Sequence, residues 1–284
     1  MGTSRTWTDA ELDRFRGVQQ LAYAAATDVA AQLVPGVTER EAADQLRRTL
    51  RERGVEDWLH TPFAWFGDRT AFAGFRQPLQ FFPTGRRLEE GMAFILDCAP
   101  IVDGYVADIG YADHAGDNPL HDRLIADLAP HRTLILDAVR AGQTLHDVYR
   151  AVDALIEQQG YENRHRVYPG RVLGHRVGRV TGLLPARVAV GFGTRFLRTL
   201  GTDLAAGLAR GRTPLWADGP ASHHPVSPGL WAVEPHLGFR GTGAKFEELL
   251  VVTGDPDRPA YWLDDDLPHV HRWDRSDARE PVRA

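Results

Sequence analysis

Apolar side chains return at four-residue steps at Ala42, Leu46 and Leu50, and again at Val148, Val152 and Ile156. That spacing is the stripe of a helix with one buried face. Thr38-Glu39-Arg40-Glu41, just ahead of the first stripe, is a capping box: the threonine hydroxyl accepts from a first-turn N–H and the glutamate reaches back. An earlier helix opens the same way at Thr8-Asp9-Ala10-Glu11 and is predicted to run to about residue 33, where Pro35-Gly36 ends it. The Thr38 helix runs to about Arg53 and stops at Gly54. Helical patterns also cover 119–140 and 145–159, the latter ending at Gly160.

Elsewhere the apolar residues come in short strand-like runs. Residues 92–110, MAFILDCAPIVDGYVADIG, set two such runs around Asp103-Gly104, a two-residue hairpin signal. Further strands are predicted at 167–180, 230–237 and 244–253. The aromatics crowded into 55–90 fit either strands and loops around a pocket or a plain core. Residues 255–284, with Asp264-Asp265-Asp266 and several prolines, read as a surface tail. Gly36-x-Thr38-x-x-Glu41 recurs as Gly142-x-Thr144-x-x-Asp147, and the 106-residue offset also relates Gly54 to Gly160 and one apolar stripe to the other. This predicts a duplicated half, a helix pair feeding a β-hairpin, with both halves in one domain over 1–284.

Composition narrows the classes. The 284 residues carry 33 basic and 38 acidic side chains, a formal net charge of −5, which lacks the footprint of a nucleic-acid binder. One cysteine, Cys98, cannot make an internal disulfide or a thiolate zinc site. Neither a membrane span nor a signal-peptide core is legible, so the cytoplasm is the expected location. Thirty-two of the basic residues are arginine; the single lysine is Lys245.

The chemistry lies in acidic residues inside apolar runs. With a turn at Asp103-Gly104, paired residues sum to 207, so Asp97 faces Gly110 and Asp108 faces Ala99. The two carboxylates then share a sheet face as diagonal neighbours, roughly 7 Å apart. A turn at Arg240-Gly241 sets Glu234 opposite Glu247, while Glu248 fits a solvated edge. His175 lies in RVLGHRVGRV between Gly174 and Gly178. Carboxylates so close repel unless a proton or a cation intervenes. Four carboxylates and an imidazole suit two divalent transition-metal ions, manganese, iron or cobalt, with zinc also compatible. Cys98, on the opposite face from Asp97, belongs to the core.

From about residue 10 to 253 the chain resembles the superfamily of methionine aminopeptidase, Xaa-Pro aminopeptidase, prolidase and creatinase. Asp97, Asp108, His175 in Gly-His-x-x-Gly, Glu234 in Glu-Pro and the strand glutamate Glu247 stand in the order of that family's metal ligands. The resemblance implies an α+β pita-bread fold, pseudo-symmetric antiparallel sheet halves with covering helices. It implies a dinuclear hydrolase in which a metal-bridged hydroxide attacks an amide carbonyl and Glu234 moves the proton. The departures concern substrate. The two family histidines that handle the peptide fall near Gln80 and at Gly182, and the glycine usual after Glu-Pro is His236. His236 and the His223-His224 pair are candidate replacements. Residues 187–225 form a longer segment than the resemblance leads one to expect, read as a lid, a dimer contact or an outer helix. Lys245, two residues before Glu247 and on the same strand face, is expected to anchor a substrate anion or act as an acid/base group.

Three readings follow: a metal-dependent aminopeptidase; a relative that uses its iron or manganese for other chemistry on a small molecule, oxidation included; and a binding module, disfavoured by the complete ligand set. The expected partner is a short peptide or small molecule, with a homodimer compatible.

Overall fold

Three threonines set three helix starts. In the computed structural model, which describes residues 7–180 and 212–277, Thr8, Thr38 and Thr144 each close a capping box, with Glu11, Glu41 and Asp147 respectively. The helices they start are α1 (Asp9–Ala30), α2 (Glu39–Glu52) and α5 (Leu145–Gln158). The helical pattern at 119–140 divides into α3 (Pro119–Ala126) and α4 (Ala129–Arg140), with Pro130 in the first turn of the second. The Thr38 cap bridges to Arg87 and the Thr144 cap to Pro225, so each cap is tied to the chain that leads into the hairpin of its own half.

Both hairpins keep the register that their turns dictate. Asp103 and Gly104 have φ of 51° and 82°, and Arg240 and Gly241 have φ of 50° and 80°. Two successive positive φ values are the mark of the type I′ turn, whose twist matches that of the strands. From the first turn, β2 (Ala93–Val102) pairs with β3 (Tyr105–Val106) and then with β4 (Ile109–His114), including Asp97 with Gly110. Asp108 falls in an interruption of this ladder, and Ala99 pairs with His60 of β1 (Asp57–Phe66) on the other side.

The second hairpin is also interrupted. β8 (Gly229–Val233) pairs with β11 (Glu248–Val252), and β9 (His236–Phe239) with β10 (Thr242–Lys245) and with the two-residue β5 (Glu162–Asn163). The predicted strands 230–237 and 244–253 therefore each break once, at Glu234-Pro235 and at Phe246-Glu247, because Pro235 has no N–H to give the ladder. The freed groups are satisfied: Glu234 N–H donates to the Leu173 carbonyl at 2.8 Å, and the Tyr23 hydroxyl to the Glu247 carbonyl at 2.7 Å.

A five-stranded antiparallel sheet runs β12 (Ala260–Trp262), β11, β8, β6 (Val172–Val177), β7 (Leu215–Ala217). Strand alternation divides the core. Leu230, Ala232, Leu249 and Val251 pack with α1 and α2, while Trp231, Val233, Leu250 and Val252 pack with α4 and α5. Cys98 is fully buried with Phe94 and Leu96 on the α1 side, as the alternation predicts.

One expectation needs correction. Residues 255–277 are not a loose tail: β12 extends the sheet, and α6 (Pro268–Asp277) buries His269 and Trp273, because its apolar residues have a place to pack. Within the 187–225 segment, β7 joins β6 in the sheet. The segment's helix-like stretch at 196–208 lies outside the described residues, as does Gly182. Among the described residues, no helix is long and apolar enough to cross a membrane.

Candidate metal centre

The interruptions in the two hairpins turn acidic side chains toward a common point. Asp97, Asp108, Glu234 and Glu247 are each no more than 6% exposed. His175, from β6, places Nε2 3.2 Å from Asp108 Oδ2, with Nδ1 3.3 Å from the Arg176 carbonyl. His60, from β1, mirrors it: Nε2 is 3.1 Å from Asp108 Oδ1 and 3.5 Å from Asp97 Oδ1, and Nδ1 is 3.0 Å from the Thr61 carbonyl. A carbonyl can only accept, so Nδ1 carries the proton in both rings and Nε2 is aimed at the carboxylates.

His60 is the site residue that sequence reasoning missed. Register shifts on both sides of it in β1 aim the ring inward, and no sequence period announces a bulge. The legible signal was a lone imidazole inside an otherwise apolar strand. Tyr168 was also missed; its ring centroid lies 5.2 Å from Lys245 Nζ.

Lys245 is 2% exposed, and its Nζ lies 2.7 Å from Asp97, 2.7 Å from Glu234 and 2.9 Å from Glu247. An ammonium has three N–H donors, and these three carboxylates take them all. None remains for a substrate anion while these three contacts hold. Burial works against the Lys245 charge, but Asp97, Glu234 and Glu247 outweigh it and hold the pKa well above the usual lysine value.

Burial raises the Glu234 carboxyl and, with Asp108 and Glu234 beside it, drives Glu247 well above its ordinary range. Burial would raise Asp108 as well, yet His60 and His175 hold it well below. Burial disfavours the charged His60, but Asp108 and Asp97 push its pKa up to about 9.

The expected substrate-side residues lie elsewhere. Gln80 is exposed on a 3₁₀ turn, where its Oε1 accepts from the Arg76 and Gln77 N–H groups; the chain leaves the sheet after β1, so counting back from Asp97 does not lead into the site. His236 is fully buried, with Nε2 2.8 Å from the Thr70 carbonyl and Nδ1 3.2 Å from the Tyr168 hydroxyl. Burial, with Lys245 nearby, lowers its pKa well below the usual value, so it is a neutral packing residue. His224 Nε2 accepts from Thr213 N–H at 3.0 Å, and the His223 ring lies 4.2 Å from that of His146. Glu248 is not at a solvated edge: it is fully buried against Arg132 and His269.

Two overlapping triads, His60–Asp97–Asp108 and Asp108–His175–Glu247, each bring three ligand atoms within 4.8 Å of one another. Imidazole nitrogen and carboxylate oxygen together fit a divalent transition metal.

Comparison with known proteins points the same way. The family model for metallopeptidase family M24 matches residues 13–254. The chain is 24% identical over 177 residues to an uncharacterized peptidase of Staphylococcus aureus, a match covering 62% of this chain and 46% of the relative. It thus spans about half the length of the curated relatives it matches. The X-Pro aminopeptidase of Thermotoga maritima superposes with a TM-score of 0.67 at 18% identity, over 93% of this chain and 63% of that one. The methionine aminopeptidase of Rickettsia prowazekii does so with a TM-score of 0.61 at 16% identity, over 91% of this chain and 98% of that one. At these identities the likeness is one of fold, the pita-bread fold.

Proposed function

This chain belongs to metallopeptidase family M24, and on that premise we propose that its buried cage cleaves an amide bond near the N-terminus of a short peptide or in a peptide-like small molecule. The chain is a metallohydrolase by family; the substrate and the metal, manganese, iron, cobalt or zinc, belong to this proposal.

The observation that carries the reading is the convergence of four buried carboxylates with His60 and His175. Asp108, His175 and Glu247 would hold a divalent ion, which when bound would supply Lewis acidity toward a carbonyl and a water. The protein's part is orientation and proton transfer. His60 and His175 clamp the two oxygens of Asp108, and Lys245 clamps the other three carboxylates. Glu234, whose proton affinity burial raises, takes up the proton and returns it to the leaving amine.

A second reading, chemistry on a small molecule other than a peptide, is favoured by one observation: Gln80, His236, His223 and His224 are all engaged away from the cage. One experiment separates the two. Peptides with varied N-termini are incubated with protein loaded with Mn²⁺ or Co²⁺, with and without chelator, and the products are read by mass spectrometry. Chelator-sensitive release of N-terminal residues, reduced at least about 100-fold by Glu234→Gln, is the expected result. Metal-loaded protein that cleaves no peptide would overturn the peptidase reading.

A further inference from the structure

Helix α1 buries a face of leucine, phenylalanine, valine and alanine with two polar exceptions, Gln19 and Tyr23. They stand one turn apart, at 0% and 1% exposure, and so lie on the same side of the helix. Packing alone asks for neither. Phenylalanine would fill the place of the tyrosine ring. The Gln19 amide even carries a penalty, since its Nε2 is buried and finds no partner among the described residues. What both residues supply is a hydrogen bond to one short stretch of backbone. The Tyr23 hydroxyl donates to the Glu247 carbonyl at 2.7 Å, and Gln19 Oε1 accepts from the Leu249 N–H at 2.8 Å.

That stretch is where the chain leaves the ladder. β10 ends at Lys245 and β11 begins at Glu248, so Glu247 lies in the gap, and the tyrosine takes the carbonyl that a neighbouring strand would otherwise hold. A peptide unit free to rotate there would swing the Glu247 side chain, and a metal ligand has to be fixed from behind. The Tyr23 oxygen also lies 3.5 Å from the carbonyl of Gly110, the residue paired with Asp97. One hydroxyl thus sits at the seam between the two hairpins, against backbone that carries or faces a carboxylate of each. Gln19 holds the chain two residues beyond Glu247, where β11 is under way.

Resting on the metallohydrolase reading, in which Glu247 is a ligand, we propose that Tyr23 and Gln19 are positioning residues for the metal centre: from α1 they set the backbone at Glu247 so that its carboxylate meets Asp108 and His175.

The test sets metal affinity against stability. Mn²⁺ is titrated into the full chain and its variants, with the free ion read by electron paramagnetic resonance, and urea midpoints are measured without metal. Tyr23→Phe, which removes only the hydroxyl, should weaken Mn²⁺ binding about 10-fold, and Gln19→Met should weaken it in the same direction. Phe15→Leu loosens the same buried face of α1 without touching the backbone at Glu247. It should lower the urea midpoint and leave Mn²⁺ affinity unchanged. Native affinity in Tyr23→Phe and Gln19→Met would overturn the inference and leave the metallohydrolase reading standing. So would an equal loss of affinity in Phe15→Leu, because α1 would then act through stability alone. Should Tyr23→Phe fail to fold, Gln19→Met decides by the same readings. A native chain that binds no Mn²⁺ would overturn both the inference and the reading it rests on.

Discussion

A side chain on Gly110 would begin where the stem of Lys245 lies, 2.2 Å from its Cε. The two residues come from facing strands of different hairpins, β4 and β10, and each is intelligible only with the other. Overpacking of this kind costs about 1–3 kcal/mol. Gly110→Ala is expected to destabilise the chain by that amount in urea unfolding. In a Lys245→Ala background the cost should largely vanish, a coupling that a double-mutant cycle measures. An equal cost in both backgrounds would mean that the two residues do not meet.

Glu248 shows how differently neighbouring residues can serve. Alternation puts Glu247 in the cage and Glu248 on the opposite face, where the Arg132 guanidinium grips it at 3.0 Å and His269 at 2.7 Å. Arg132→Leu strands a buried carboxylate and should cost about 3–5 kcal/mol. Replacing both partners by apolar residues should cost much less. Thermal unfolding of the single and double variants checks this, and bound metal should be unchanged in those that fold.

His131 predicts a pH dependence away from the cage. Burial lowers its pKa to about 4, with Nε2 2.8 Å from Gln159 Oε1. The unfolded chain binds this proton near pH 6.5 and the folded chain near 4, so stability falls as pH drops through that window. The loss is about 3 kcal/mol by pH 4. Urea midpoints of the native chain and His131→Gln, measured from pH 7 to pH 4, should diverge by that amount, with the native chain losing more. Parallel curves would place the proton elsewhere.

Local signals carried much of this architecture. The capping boxes at Thr8, Thr38 and Thr144 set the helix starts, and the turns at Asp103-Gly104 and Arg240-Gly241 fix the registers that align Asp97 with Gly110 and put Glu234 beside Glu247. What escaped depends on contacts distant in sequence. The inward turn of His60 needs a bulge against β2, and the fit of Lys245 needs an empty place on Gly110, 135 residues away. Gln80 misled because counting along the chain assumes that the strand continues, and it does not.

The metal-binding account of the cage is tested most directly by anomalous diffraction at the manganese edge from crystals of the full chain grown with Mn²⁺. The expected map has anomalous density within the cage, bounded by Asp108, His175 and Glu247. A map with no anomalous peak among these carboxylates and imidazoles would contradict it.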